Sequence, residues 1–357
     1  MVDRKLSLKN SVSVIIPTYN RSGLIARAIK SVLAAMFPGD EVLVIDDGST
    51  DDTPAVVRAF GDAVRYIRIE NSGPGAARNL GIRLAECPLV TFLDSDDEWL
   101  PDKLELQRRI MEAFTEVVFC FSNILCKHPD GRIDHDMLSV WRVDLNVGCG
   151  DSPHLCEILG PGVPFSSIAS LPKGRPDFNI HIGDLYPALM EVLYVSSIAV
   201  MVRKELAGAS FRNAEDLRLM EDWECYAQLA KVGPAAYLDC DLAVQIVHAG
   251  PRLTDVTTLA QATGRIAVLQ RVWGADERFL RTHSARYKSL LAFQYLRRAK
   301  LLIKKGQLNE AKEELQVHGG PLVYRLLASL PSGLVSIIIG ARTKAMLRLK
   351  WSSAEHS

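Results

Sequence analysis

The sequence predicts an α/β fold: a mostly parallel, Rossmann-like sheet with helices on both faces, followed by a helical C-terminal region. Through the first 120 residues, short apolar or β-branched runs alternate with amphipathic, helix-like segments, the pattern of strands joined by helical crossovers. From Leu259 onward, helical spacing dominates. Hydrophobic residues make up 48% of the 357-residue chain and charged residues 24%, which is ample for a large core and unlike a disordered chain.

The strands expected in the first half are 12–16, 41–45, 64–69 and 89–93, each ending at polar, Gly or Pro residues, with a fifth at 117–121 closing that half. A first helix at 22–36 sets Leu24, Ile25, Ala28, Ile29, Val32, Leu33 and Met36 on one stripe and ends at Pro38 and Gly39. A second begins after Asp51 and Asp52 with Pro54 in its first turn, a third runs from 76 to 86, and a fourth follows Pro101. Residues 127–190 carry scattered Pro and Gly with weak periodicity and read as loops and short elements. A strand at 192–202, a helix at 222–231 and a strand at 242–247 follow, and 288–315 reads as two antiparallel helices broken at Lys305-Gly306-Gln307. The domain boundaries expected are 1–256 and 257–357.

Lys+Arg and Asp+Glu balance at 42 each, so no general affinity for nucleic acid is expected and any charge aimed at a ligand is local. Seven cysteines without a CxxC pair fit a reducing compartment better than a disulfide framework. Cys149, His154 and Cys156 lack a regularly spaced fourth ligand for zinc. The apolar run at 12–16 is far shorter than the core of a signal peptide, and a cytoplasmic location is the expectation.

In a parallel α/β sheet, ligands bind beyond the carboxyl ends of the strands. Here those ends read Pro17-Thr18-Tyr19-Asn20, Asp46-Asp47-Gly48-Ser49 and Asp94-Ser95-Asp96-Asp97. Helix capping is an equal explanation for Asp47, Ser49 and Asp52. It accounts poorly for Asp94 and Asp96, where four acidic residues within five positions suit a hard divalent cation, Mn²⁺ or Mg²⁺. After the third strand, Asn71-Ser72-Gly73-Pro74-Gly75-Ala76-Ala77-Arg78-Asn79 combines small residues with a guanidinium suited to phosphate or carboxylate. It is neither a dinucleotide fingerprint nor a Walker loop.

Together these segments resemble the family 2 glycosyltransferases, whose catalytic domain has the GT-A fold. The resemblance is carried by Val14-Ile15-Ile16-Pro17-Thr18-Tyr19-Asn20, Val44-Ile45-Asp46-Asp47-Gly48-Ser49-Thr50-Asp51, Gly73-Pro74-Gly75-Ala76-Ala77-Arg78-Asn79 and Phe92-Leu93-Asp94-Ser95-Asp96-Asp97, then by Glu221-Asp222-Trp223-Glu224 opening a helix. It covers residues 11–254 and implies an inverting, metal-dependent transfer of a sugar from a nucleotide diphosphate donor to a hydroxyl of a saccharide or lipid-linked acceptor. By the same resemblance Pro17, Thr18, Tyr19, Asn20, Asp46, Arg78, Asp94 and Ser95 belong to the donor nucleotide site, with Thr18 and Asp46 at the base and ribose and Arg78 near the base and phosphates. Asp96 holds the metal and Asp222 is the general base, with Glu215-Asp216 as its rival. His248 and Arg252 resemble a late segment that reaches the diphosphate and, through His248, the metal; Gln245-Ile246 stands where the family more often has Tyr-Arg.

Two other readings compete. A sugar nucleotidyltransferase normally opens with a Gly-rich, Arg-bearing loop after the first strand, where this chain has Pro17-Thr18-Tyr19-Asn20. A non-catalytic saccharide-binding protein on a transferase fold has no need of Asp94, Asp96 and Asp222 together. The tail, 322–341, is largely apolar and is followed by Arg342, Lys344, Arg348 and Lys350 without an acidic residue among them. Arg325, Pro331 and Gly333 speak against a spanning helix. The expectations for the tail are a helix on the inner membrane surface, or packing against the catalytic domain or a second subunit, which would give a homo-oligomer.

Overall fold

A computed structural model describes residues 10–139, 154–217, 219–250 and 258–331. The chain divides into two compact units at 251/252. In the first unit the strands are β1 (Val12–Thr18), β2 (Glu41–Asp46), β3 (Arg65–Arg68), β4 (Leu89–Phe92), β5 (Glu98–Trp99), β6 (Phe119–Lys127), β7 (Ile133–Asp134), β8 (Val163–Pro164), β9 (Asn179–Gly183), β10 (Val200–Arg203) and β11 (Ala235–Ile246). They form one mixed sheet in the order β3-β2-β1-β4-β10-β6-β11-β9-β8, with β5 on β11 and β7 on β6. β1 pairs in parallel with both β2 and β4, whereas β10 runs antiparallel to β4 and β6.

The longer helices of this unit are α1 (Ile25–Ala35), α2 (Thr53–Arg58), α3 (Pro74–Leu84), α4 (Lys103–Ala113) and α5 (Glu221–Val232). The α1 stripe anticipated from the sequence is the buried one: Ile25, Ala28, Ile29 and Val32 lie in the core with Val12, Val14 and Ile16 of β1, the match of helical and strand periods that an α/β layer requires. α3 starts on Gly73 (φ 92) with Pro74 in its first turn. It lies so close to β1 that a Cβ on Gly81 would come within 2.5 Å of Ile15 Cγ2, so this approach needs glycine.

Two expectations require correction. The segment 192–202 is strand only at Val200–Arg203, preceded by a 3₁₀ turn at Ser197–Ala199; its apolar run is buried as irregular chain, which an apolar run alone does not distinguish from strand. The strand at 242–247 is the second half of β11, whose register shifts around Asp239-Cys240-Asp241. That polar break hides its first half from a hydrophobic pattern. The region read as loops and short elements includes the short strand β9, which adds to the sheet antiparallel to β11.

In the second unit Thr258–Val268, Glu277–Lys304, Leu308–His318 and Leu322–Leu327 are helical. The break falls at Lys305-Gly306-Gln307, with Gly306 at φ 77, and Ala299, Leu302 and Ile303 pack with Leu308, Ala311 and Leu315. Leu322, Val323 and Leu326 are exposed. Among the described residues no helix is long and apolar enough to cross a membrane. The basic residues from Arg342 onward lie outside the described residues.

Candidate active site

Because β2, β1 and β4 are parallel neighbours, their carboxyl ends bring Asp46, Thr18 and the Asp94–Asp97 turn to one edge of the sheet. Asp46 is fully buried; its Oδ1 accepts from the Ser49 amide (2.8 Å) and its Oδ2 from Tyr66 Oη (2.5 Å). Burial and this bond to Asp46 push the Tyr66 phenol up to about 12. Thr18 Oγ1, alongside in register, is buried and has no hydrogen-bond partner among the described residues, a state that a bound polar ligand would relieve. Tyr19 stands exposed at the rim. Asn20, in the left-handed region at φ 51, donates its amide to Ser49 Oγ (2.9 Å) and accepts from the Thr50 amide (2.8 Å), tying the first two strand ends together. Pro17 lies within β1, and Ser95 is buried in the turn after β4. Asp47 does not cap its own helix: its carboxylate accepts from the amides of Ser72 (2.7 Å) and Gly73 (2.9 Å) and shapes the entry to α3.

The second part of the site depends on a pairing distant in sequence. β5 runs antiparallel to β11, with Val244 opposite Glu98, and Asp97 Oδ1 accepts from the Ile246 amide (2.9 Å). This register delivers His248 to the acidic turn, where its Nε2 is 3.0 Å from Asp96 Oδ2. Arg21 Nε lies 3.3 Å from the same oxygen, and Arg27 Nη2 donates to the Asp96 carbonyl (2.9 Å). Arg21 and Arg27 escaped the reading of the sequence, although Arg21 directly follows the first strand-end motif. Arg252 lies outside the described residues.

The third part joins α3 to α5. Arg78 Nη2 donates to Asp94 Oδ1 (2.8 Å) and Nη1 to Glu221 Oε1 (2.9 Å). The guanidinium is buried and bridges these two carboxylates. Burial opposes its charge, but Asp94 and Glu221 outweigh that effect and hold it above its ordinary range. Glu221 and Asp222 open α5 behind Met220, a non-glycine residue at φ 73, a strained geometry of the kind found at functional positions. Asp222 Oδ1 accepts from the Trp223 amide (2.8 Å) and Oδ2 from Ser197 Oγ (3.5 Å). Desolvation and then the Asp222 charge, only partly offset by Arg78, push the Glu221 carboxyl up to about 7. Desolvation also raises Asp222, with Arg78 opposing and Asp94 adding to the rise. Of the alternative pair Glu215-Asp216, Glu215 Oε1 accepts from Asn79 Nδ2 (2.8 Å).

A parallel half-sheet carrying acidic strand ends, extended by antiparallel strands and faced by a second acidic helix start, is the architecture of a GT-A glycosyltransferase. The chain belongs to the family 2 glycosyltransferases: the family model "Glycosyl transferase family 2" matches residues 13–151. The succinoglycan biosynthesis protein ExoU of Rhizobium meliloti is 44% identical over 284 residues, covering 76% of this chain and 74% of that protein. An uncharacterized glycosyltransferase of Rickettsia prowazekii is 28% identical over 228 residues, covering 60% of this chain and 69% of the relative. Among solved structures, that of S. aureus TarS residues 1–349 in complex with UDP-GlcNAc superposes with a TM-score of 0.53 at 18% identity, over 87% of this chain and 78% of that one. The protein is therefore a glycosyltransferase.

Proposed function

We propose that this enzyme transfers a sugar, with inversion, from a nucleoside diphosphate sugar to a hydroxyl of a growing bacterial polysaccharide, free or lipid-linked. The observation that carries this is the convergence of Asp94, Asp96, Arg78 and the Glu221-Asp222 pair at one edge of the sheet. ExoU, by its name a succinoglycan biosynthesis protein, and the putative teichuronic acid biosynthesis glycosyltransferase TuaG of Bacillus subtilis support a polysaccharide acceptor. The buried Thr18 hydroxyl, which has no partner among the described residues, and the exposed ring of Tyr19, beside Asp46, suit a nucleoside.

In the reaction, an acceptor oxygen bonds to the anomeric carbon while the bond from that carbon to the diphosphate oxygen breaks. The acceptor proton passes to the Asp222 carboxylate, whose raised pKa brings it closer to working pH, as a general base requires. Arg21 and Arg27, beside the acidic turn, supply positive charge where the diphosphate would leave.

A divalent ion fits the residues present. Asp96, in the turn before β5, and His248, just after β11, converge as an oxygen and a nitrogen donor suited to Mn²⁺, or to Mg²⁺ through the carboxylate. Among the described residues no group of three acidic, His or Cys side chains is placed to hold a metal, so phosphate oxygens and water would complete the shell. Bound there, the ion would neutralise charge on the leaving diphosphate. On this reading the enzyme works in the cytoplasm, and its apolar tail followed by basic residues rests on the inner membrane surface.

The test is diphosphate release from a panel of nucleoside diphosphate sugars, with Mn²⁺ or with EDTA. Release that requires the cation and falls by about 10² in Asp96→Asn is expected, the usual loss on removing a charge-stabilising group. Full activity of that variant in EDTA would refute the metal role. Pyrophosphate released from nucleoside triphosphates would instead identify a nucleotidyltransferase.

A further inference from the structure

At the entry to β10, three consecutive carbonyls are held by side chains. Trp99 Nε1 donates to Ile198 O (2.9 Å), Gln107 Nε2 to Ala199 O (2.7 Å) and Thr91 Oγ1 to Val200 O (2.5 Å). Lys103 locks the donors together: its buried Nζ donates to Thr91 Oγ1 (2.9 Å) and Gln107 Oε1 (2.8 Å) and sits 4.1 Å above the Trp99 ring. An apolar setting disfavours the ammonium and brings it down to about 7. A fully satisfied buried network of this kind rigidifies the segment it holds.

That segment carries Ser197. Tyr226 Oη donates to Ser197 Oγ (2.9 Å), so the serine's one proton is left to point at Asp222 Oδ2, 3.5 Å away. The other Asp222 oxygen is fixed by the Trp223 amide. We propose that Ser197, oriented by Tyr226 and seated by the Trp99-Lys103-Gln107-Thr91 network, is a positioning residue for the Asp222 carboxylate. It sets the carboxylate's rotation and favours its ionised form, a contact that is long without substrate and closes when the acceptor is bound. The inference rests on the reading of Asp222 as the base. Among the described residues the other charged or titratable groups facing Asp222 are Arg78, Asp94, Glu221, Cys225 and Tyr226, and the four-member cycle below leaves all of them in place.

The test is a four-member cycle of full-length proteins: wild type, Ser197→Ala, Asp222→Asn and the double variant, melted across neutral pH. Because burial holds the Asp222 carboxyl above its ordinary range, the protein with Asp222 loses stability relative to its Asn counterpart as pH rises through that raised value. Losing a hydrogen bond to the charged form should move this window upward by about one pH unit in the Ser197→Ala background. Loss of packing alone would lower the melting temperature without moving the window. Identical windows in the two backgrounds overturn the proposal. If Ser197→Ala does not fold, Tyr226→Phe, which removes the orienting donor, should move the window the same way by a smaller amount, and no movement there overturns it equally. The diphosphate-release assay separates the two readings. An Asp222→Asn protein that transfers normally despite a moved window defeats the base assignment, whereas an inactive Asp222→Asn with an unmoved window defeats only the positioning.

Discussion

Replacing Arg78 with Met removes the cation shared by Asp94, Glu221 and Asp222 while keeping a linear side chain of similar reach. Breaking a buried ion pair by deleting one partner costs about 3–5 kcal/mol, because the remaining charge stays buried. The two arms are unequal: the Glu221 side chain is 6% exposed, whereas Asp94 is 36% exposed and water screens its share. The lower end, about 3 kcal/mol, is therefore the expectation, or a fall in melting temperature of roughly 6–12 °C for a domain of this size. The pH dependence has a definite sign. Glu221 already has a folded pKa above its unfolded value, and losing Arg78 raises it further. The stability this group contributes is fully present below its unfolded pKa and disappears as pH climbs through the folded one. The variant's deficit should thus be larger near about pH 8 than near about pH 5.5, where the carboxyl keeps its proton. Thermal unfolding followed by circular dichroism at both pH values measures this, and adding Glu221→Gln to Arg78→Met should recover more than half of the deficit. A melting temperature within about 2 °C of wild type at the higher pH, or equal deficits at both, would refute the view of Arg78 as the counter-ion of a buried carboxylate cluster.

Two further outcomes follow from the site and the tail. Asp222→Asn should keep the thermal stabilisation given by a nucleoside diphosphate with Mn²⁺ and lose about 10² to 10⁴ in transfer; loss of nucleotide binding would place Asp222 in the donor site instead. Full-length protein should float with anionic liposomes at low salt, and a chain ending at Gly319, without the exposed Leu322, Val323 and Leu326 or the basic residues beyond, should not. Equal recovery of both in the unbound fraction removes the membrane reading and leaves the tail as a packing or self-association element.

What the sequence revealed of this enzyme follows chain locality. In β1, β2 and β4 a strand, its polar end and the next helix are contiguous, so Thr18, Asp46 and Asp94 could be placed at one edge from pattern alone, and parallel pairing delivers them there. The helix that Glu221 and Asp222 open was legible for the same reason, as an acidic first turn ahead of a helical run. The partners that tune these groups were not legible, because nothing local encodes them. Tyr66 reaches Asp46 from a neighbouring strand. His248 meets Asp96 only because β5 pairs with β11. Arg78 meets Glu221 across 143 positions. Ser197 was hidden twice over, inside an apolar run with strand composition whose carbonyls are taken by Trp99, Gln107 and Thr91. From Val200 the run does pair with β4 and β6, while just before it Ile198 and Ala199, with carbonyls held by Trp99 and Gln107, form the 3₁₀ turn that carries Ser197 to Asp222. The motifs thus define the chemistry available to the site, while its pKa values and geometry depend on residues that only the folded chain brings together.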